Sequence, residues 1–362
     1  MFASSDRDRA KASGYPAAVL AERLAARTLE LVDIPSESHD EAALGAHVTE
    51  VLRAGGVAVR DAGDGCVVAG AATEGPARIL LAGHLDTVPV QGNRPGRRDG
   101  DVVHGLGSAD MKGGLAVMVE LALAGAPFGF VFFPREELPF GDSSLTPLLE
   151  RDPTLRESGF GVVLEPTSNA VHAGCLGNVN ATWTFHGRSG HSARPWLADN
   201  AIHRLARGVA ELAEVPATEH VHDGLTFTEV VSVTRIEGGI ALNVVPETAI
   251  AKVNYRYPPG TSPEDAEAWL RALCEPHGAL VIDGHAPSGP VTVTNPFVDA
   301  LRAEGADVLP KQAWTPVAEL VRAGVDAVNL GPGDPAFAHR RDEQIDVAAL
   351  VRCHELLEVL GG

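Results

Sequence analysis

The chain has 362 residues, more than one hydrophobic core usually supports, so two domains are expected. Its composition, 45% hydrophobic and 21% charged, is that of a globular protein and excludes a disordered or membrane-embedded chain. With 48 Asp plus Glu against 29 Lys plus Arg, the net charge of −19 argues against nucleic acid or an anionic membrane as partner, and an anionic substrate needs a local basic pocket.

No apolar stretch approaches a membrane span, and the polar opening, residues 1–9, lacks the apolar core of a signal peptide, so a cytoplasmic location is expected. The cysteines Cys66, Cys175, Cys274 and Cys353 are far apart, which suits reduced, buried thiols better than a zinc knuckle or a disulfide framework.

Residues 17–31 carry a helical apolar period, broken at Pro35 and the polar run after it before a second helix over 42–54. The apolar run 79–83 predicts a strand buried on both faces, ending at His84. Residues 91–101, rich in Gly, Arg and Asp, read as surface loop, and 104–110 leads into a helix over 113–124. Buried strands follow over 129–133, just before Glu136-Glu137, and over 161–164, ending at Glu165. Strands alternating with helices predict an α/β sheet with helices on both faces, where ligands collect at strand ends.

Near residue 175 the pattern changes. A half-exposed strand over 180–186, a helix over 199–212, strands over 229–237 and 242–257, a helix over 262–274 and a short strand near 279–282 suggest a small antiparallel sheet with two helices on one side. The expected division is a discontinuous α/β domain over 1–174 and 288–362, interrupted by an inserted α+β domain over 175–287. The α/β pattern then resumes with a helix over 297–303, a strand over 327–330 and a last helix over 347–360.

Five ligand types, His84, Asp110, Glu137, Glu165 and His339, sit at ends of such strands or in turn-rich loops, an arrangement suited to a two-metal hydrolase. His84 and Asp86 lie two apart on one side of an extended chain, so the imidazole can bind metal while the carboxylate fixes its other nitrogen; a strand-end histidine with a capping aspartate is the alternative. Asp110 occupies a glycine-rich strand-to-helix turn without nucleotide-binding spacing, and its two oxygens could reach two cations about 3.5 to 4 Å apart. Glu136 and Glu137 would repel each other unless a cation absorbs one charge, or else they form a solvated acidic turn.

The stretches carrying these residues, Gly83-His84-Leu85-Asp86-Thr87-Val88-Pro89, Ser108-Ala109-Asp110-Met111-Lys112-Gly113-Gly114, Glu136-Glu137, Leu164-Glu165-Pro166-Thr167, Gly190-His191-Ser192-Ala193-Arg194-Pro195, Gly331-Pro332-Gly333-Asp334 and Ala338-His339-Arg340-Arg341-Asp342-Glu343, cover nearly the whole chain. On them the sequence resembles the succinyl-diaminopimelate desuccinylases, within the di-zinc aminoacylases, acetylornithine deacetylases and carboxypeptidases.

The resemblance implies a mixed-sheet catalytic domain with a ferredoxin-like dimerisation or lid domain, two Zn2+ per subunit with Co2+ able to substitute, and a homodimer. It implies that His84 and Glu165 hold one metal, Glu137 and His339 the other, and that Asp110 bridges them through a residue followed by a cis peptide bond. Asp86 would orient His84, Glu136 would act as general base, and His191 would polarise the scissile carbonyl across the dimer interface. Asn243, Arg256 and Gly331 fall at substrate-binding positions. The implied reaction is hydrolysis of an N-acyl amide on a small amino acid, above all N-succinyl-LL-2,6-diaminopimelate in lysine and cell-wall biosynthesis.

Two segments depart from that pattern. Where many desuccinylases read Gly-Arg-Arg-Gly, with an arginine for the succinyl carboxylate, this chain reads Gly174-Cys175-Leu176-Gly177; residues 314–320 likewise replace an Asp and an Arg with Pro316 and Glu319. An acetylornithine deacetylase, another N-acyl-amino-acid deacylase or a dipeptidase is therefore the alternative, and a metal-binding scaffold without catalysis is the alternative of another class.

Overall fold

The computed structural model describes residues 16–361. The polar opening over residues 1–9 lies outside the described residues. No helix among the described residues is long and apolar enough to cross a membrane.

Apolar runs that present no polar face build the centre of the larger sheet. Leu80–His84, Gly129–Phe133, Gly161–Val163 and Ala327–Asn329 are buried along their whole length. They pair in parallel, Gly129–Phe133 and Gly161–Val163 flanking Leu80–His84, and Ala327–Asn329 beside Gly161–Val163. Antiparallel neighbours make the sheet mixed: Val67–Gly70 joins Gly129–Phe133, and Val171–Ala173 joins Ala327–Asn329. Eight strands result in all.

Helices cover both faces. Ala17–Asp33, Gly113–Leu123 and Val347–Leu360 pack on one, around Leu24, Met118, Phe130 and Leu357. Leu145–Arg151 and Val317–Arg322 pack on the other, around Val131, Phe133, Leu148 and Leu320. Because parallel strands share a direction, their carboxyl ends, and the side chains just beyond them, gather along one rim of the sheet.

The second unit has its own core, in which Trp183, Phe185, Leu205, Tyr255 and Leu270 meet. Its five antiparallel strands run in the order Thr218–His222, Leu225–Gly238, Thr248–Tyr257, Gly177–His186, Ala279–Ala286. Burial alternates along Gly177–His186, the signature of a sheet covered on one face. The covering helices are Ala201–Ala213 and Pro263–Cys274, started by caps in which Asn200 Oδ1 accepts from the Ile202 amide and Ser262 Oγ from the Asp265 amide. The two chain crossings between the units are paired: the Cys175 and Gly289 amides each donate to the other's carbonyl at 3.1 Å.

Several short elements depart from the sequence expectation. The segment 242–257 is not one strand. Val244–Val245 pairs with Gly190–His191 outside the main sheet, and Thr248–Tyr257 begins only after Pro246, whose missing N–H interrupts a ladder. The expected loop over 91–101 contains Arg97–Asp99, which pairs with Val102–His104, and Gln344–Asp346 completes that small sheet. A three-residue strand has too little length to show a period, and Arg97–Asp99 is held by Val102–His104, which is itself paired with a strand some 240 residues away in sequence.

Glu319, in the segment 314–320 that departs from the desuccinylase pattern, is buried on Val317–Arg322. Its Oε1 accepts from Ser143 Oγ at 2.7 Å and from the amide and hydroxyl of Thr146 at 2.9 and 2.6 Å, while Oε2 has no partner. Burial raises this carboxyl above its ordinary value of 4.5, and the hydrogen bonds only partly oppose it. Below 4.5 the group is protonated folded and unfolded and costs nothing; as pH rises through the elevated folded value, ionisation is harder in the fold and stability is lost. Comparing thermal midpoints of wild type and Glu319→Gln from pH 5 to 8 should therefore show the wild type losing ground as pH rises, each ~1 kcal/mol appearing as about 2–4 °C.

Candidate metal centre

Four acidic side chains and two imidazoles converge on the carboxyl rim of the larger sheet. His84 closes its strand, Glu136 and Glu137 follow Gly129–Phe133, and Glu165 follows Gly161–Val163. Asp110 lies in the irregular turn Ser108–Lys112 that leads into the helix Gly113–Leu123, and its peptide bond to Met111 is cis. His339 comes from the loop after Ala327–Asn329.

His84 Nε2 stands 3.2 Å from Asp110 Oδ1 and 3.7 Å from Glu165 Oε1. His339 Nε2 stands 3.5 Å from Asp110 Oδ2 and 3.0 Å from Glu137 Oε1. Three sets of donor atoms each lie within 4.8 Å of one another: His84 with Asp110 and Glu165, Asp110 with Glu137 and His339, and His84 with Glu136 and Glu137. Asp110 belongs to the first two, and its Oδ1 is the oxygen nearer His84 and its Oδ2 the one nearer His339.

The charge balance says what this cluster lacks. Burial pushes the Glu165 carboxyl up to about 7, with the Asp110 charge adding, and lifts Glu136 well above the ordinary range, with Glu165 adding. Hydrogen bonds to Asp110 and Glu137 hold His339 up at about 11. Glu165 Oε1 is buried with no hydrogen-bond partner. Carboxylates crowded in low dielectric, one oxygen unpaired, are the environment that divalent cations relieve, and imidazole with carboxylate is a donor set that suits zinc and its neighbours. The residues fit a pair of ions.

Backbone conformation aims several of these groups. His339 and Arg135, the latter immediately before Glu136, both have left-handed φ, at 61° and 65°, which a non-glycine residue adopts only when its surroundings impose it. Ser144 Oγ helps to fix the turn by donating to the Pro134 carbonyl at 2.6 Å.

Asp86 acts differently from the sequence expectation. His84 Nδ1 meets the backbone carbonyl of Asp86 at 2.9 Å, whereas the carboxylate is 3.6 Å away. That carboxylate instead accepts from the Glu136 amide at 2.9 Å, the Glu137 amide at 3.0 Å and Ser38 Oγ at 2.9 Å. Its side chain therefore holds the turn that carries both glutamates.

The remaining expected residues stand elsewhere. His191 is exposed in the inserted unit, outside both ligand groups, and its Nδ1 accepts from the Ala193 amide at 3.0 Å. Asn243 lies beside it, its carbonyl accepting from the Ser192 amide. Arg256 is half-buried, donates from Nε to Asn254 Oδ1 at 3.0 Å, and has no carboxylate partner among the described residues. Gly331, expected to touch substrate, has its amide and carbonyl committed to Thr167 Oγ1; a Cβ there would stand 2.3 Å from the Leu164 carbonyl oxygen and 2.4 Å from that of Glu165, so it serves close packing behind a ligand. Sequence reading missed Ser38 and Lys311, the latter buried with Nζ 3.2 Å from the Pro166 carbonyl next to Glu165. Neither sits in a motif that announces it.

Asp86→Asn, nearly isosteric, leaves one of two part-buried amides facing a donor, at a cost of about 1–3 kcal/mol. Turnover should fall roughly 10- to 100-fold, as an energy of that size applied to placing the catalytic turn requires; steady-state kinetics on metal-saturated protein reads it, and wild-type kcat would show that the turn needs no such anchor.

Comparison with known proteins shows the family and the fold. Residues 174–280 match the peptidase dimerisation domain family. The chain is 37% identical over 343 residues to a putative succinyl-diaminopimelate desuccinylase of Mycobacterium tuberculosis, an alignment covering 92% of this chain and 97% of that protein. It is 33% identical over 349 residues to the succinyl-diaminopimelate desuccinylase of Corynebacterium glutamicum, covering 90% and 94%. An M20 family metallo-carboxypeptidase from Sulfolobus solfataricus shares the fold, with a TM-score of 0.75 at 17% identity over 93% of this chain and 99% of that one. The chain belongs to the succinyl-diaminopimelate desuccinylase family of M20 metallohydrolases.

Proposed function

We propose that this protein is a di-zinc amidohydrolase that cleaves N-succinyl-LL-2,6-diaminopimelate to succinate and LL-2,6-diaminopimelate, acting in the cytoplasm as a homodimer. The observation that carries this reading is Asp110 shared by two three-residue donor groups, beside a Glu136 carboxylate that has no hydrogen-bond partner among the described residues. His84, Asp110 and Glu165 would hold one ion, and Asp110, Glu137 and His339 the other. Bound there, zinc polarises an amide carbonyl and makes water acidic near neutral pH.

Glu136 is the general base. It takes a proton from the attacking water as the oxygen bonds to the amide carbon, and returns that proton to the nitrogen as the carbon–nitrogen bond breaks. Arg256, a half-buried guanidinium without a carboxylate partner, would hold a substrate carboxylate in a chain that is otherwise strongly acidic. The inserted domain, proposed here as 175–287, would provide the dimer contact, and His191 from the partner copy would steady the developing oxyanion. The matched peptidase dimerisation domain supports that assembly.

Leu176 favours a second reading. It is apolar and buried, just before the strand Gly177–His186, so its position provides no cation for the far end of a succinyl group, and a deacylase for a shorter acyl arm uses the same metal chemistry.

Zinc titration and a panel of N-succinyl and N-acetyl amino acids test both readings. Removing metal should abolish turnover, and zinc should restore it; N-succinyl-diaminopimelate should be the best substrate. Higher kcat/KM on an acetylated amino acid would select the second reading, and two bound zinc ions without turnover on any substrate would leave a scaffold. Glu136→Gln should retain both ions while kcat falls by at least about 100-fold, the usual weight of a general base.

A further inference from the structure

Glu343 is nearly fully buried, two percent exposed, four residues beyond His339 and just before the strand Gln344–Asp346. No role is given to it by the reaction just described. Its carboxylate receives three main-chain hydrogen bonds from the turn that presents Asp110: Oε2 accepts from the Gly107 amide at 2.9 Å, and Oε1 from the Ala109 and Asp110 amides at 3.0 and 2.9 Å. The Glu343 carbonyl also accepts from the Gly105 amide at 3.0 Å, and its own amide donates to the Arg340 carbonyl at 3.3 Å.

We propose that Glu343 is the positioning residue for the shared carboxylate, tying the Asp110 turn to the His339 loop so that both donor groups form together. The proposal rests on the two-metal reading. The turn's own bonds are few: the Ser108 amide donates to the Gly105 carbonyl at 3.1 Å and the Lys112 amide to the Gly107 carbonyl at 2.6 Å, while the Gly107, Ala109 and Asp110 amides turn to Glu343. Gly107 is left-handed at φ 79°, and Asp110 and Met111 depart from helical φ and ψ, so the regular ladder of helix amides is absent where Asp110 must be aimed. Three buried amides need acceptors there, and a carboxylate can satisfy all of them with charge-assisted bonds. Asp110 reaches both donor groups only while its main chain is fixed, because a short side chain has two torsions with which to compensate. Loss of the clamp therefore falls on the metal sites before it falls on the fold.

Glu343→Gln keeps size and one acceptor oxygen but turns an NH2 toward at least one amide donor. Zinc titration of the metal-free proteins by calorimetry, with turnover followed against added zinc, provides the test. Wild type should take up two ions; Glu343→Gln should bind the second at least tenfold more weakly, lose activity at limiting zinc and regain most of it in excess. Asn295→Ala, which removes the cap of the distant helix Pro296–Ala303, serves as a destabilised control and should lower the thermal midpoint without changing zinc affinity. If Glu343→Gln does not fold, Glu343→Asp replaces it: it keeps the charge, is one methylene shorter, and should weaken zinc in the same direction. Unchanged affinity for both ions in the folded variant, or lost activity that excess zinc does not restore, overturns the clamp. A wild type that takes up fewer than two ions overturns the two-metal reading itself, so the two failures are separate.

Discussion

Carboxylates brought together at the ends of parallel strands repel one another, and burial makes the repulsion stronger. The rim that gathers Asp86, Asp110, Glu136, Glu137 and Glu165 against His84, His339 and the buried Lys311 is stabilised by positive charge between its carboxylates. The molecule meets this constraint in two ways. Imidazole nitrogens approach Asp110 from both sides, and main-chain amides are directed at the carboxylates that do not face the cluster. Asp86 and Glu343 together accept five backbone N–H bonds from the two turns that carry Asp110, Glu136 and Glu137.

This division of labour explains why the acidic groups of the site are of two kinds. Those with amide partners shape the turns; Glu165 Oε1 and the Glu136 carboxylate have no hydrogen-bond partner among the described residues and belong to the candidate donor groups. The rigid sheet beneath is what allows such exact placement, since Leu80–His84 is buried at every position and cannot shift without disrupting its neighbours on both sides. Gly331 belongs to the same economy of space, because any side chain there would push into the main chain that carries Glu165.

The inserted unit contributes differently. It has a separate core, and its exposed His191 and half-buried Arg256 stand outside both ligand groups. The candidate metal ligands are thus all held by the larger sheet, whereas the substrate contacts proposed for Arg256 and His191 lie in the second unit. A shared di-metal chemistry can in this way serve different substrates, and the departures at Leu176 and Glu319 both lie outside the candidate ligand groups.

Much of this was legible in the residues alone. Continuous apolar runs ending in His84, Glu137 and Glu165 disclosed buried strands and rim ligands, because a strand covered on both faces has no polar position until it ends. The change to alternating polarity near residue 175 marked the second unit for the same reason. What the tertiary structure alone decided was pairing across long distances: the short strands Val59–Asp61, Val171–Ala173 and Val308–Pro310, the contact of Gln344–Asp346 with Val102–His104, and the acceptors chosen by Asp86 and Glu343. A side chain's chemistry is written in the sequence, but the amide it will meet is set by how distant segments pack, and for Asp86 that moved its carboxylate from the expected imidazole to the backbone of the glutamate pair.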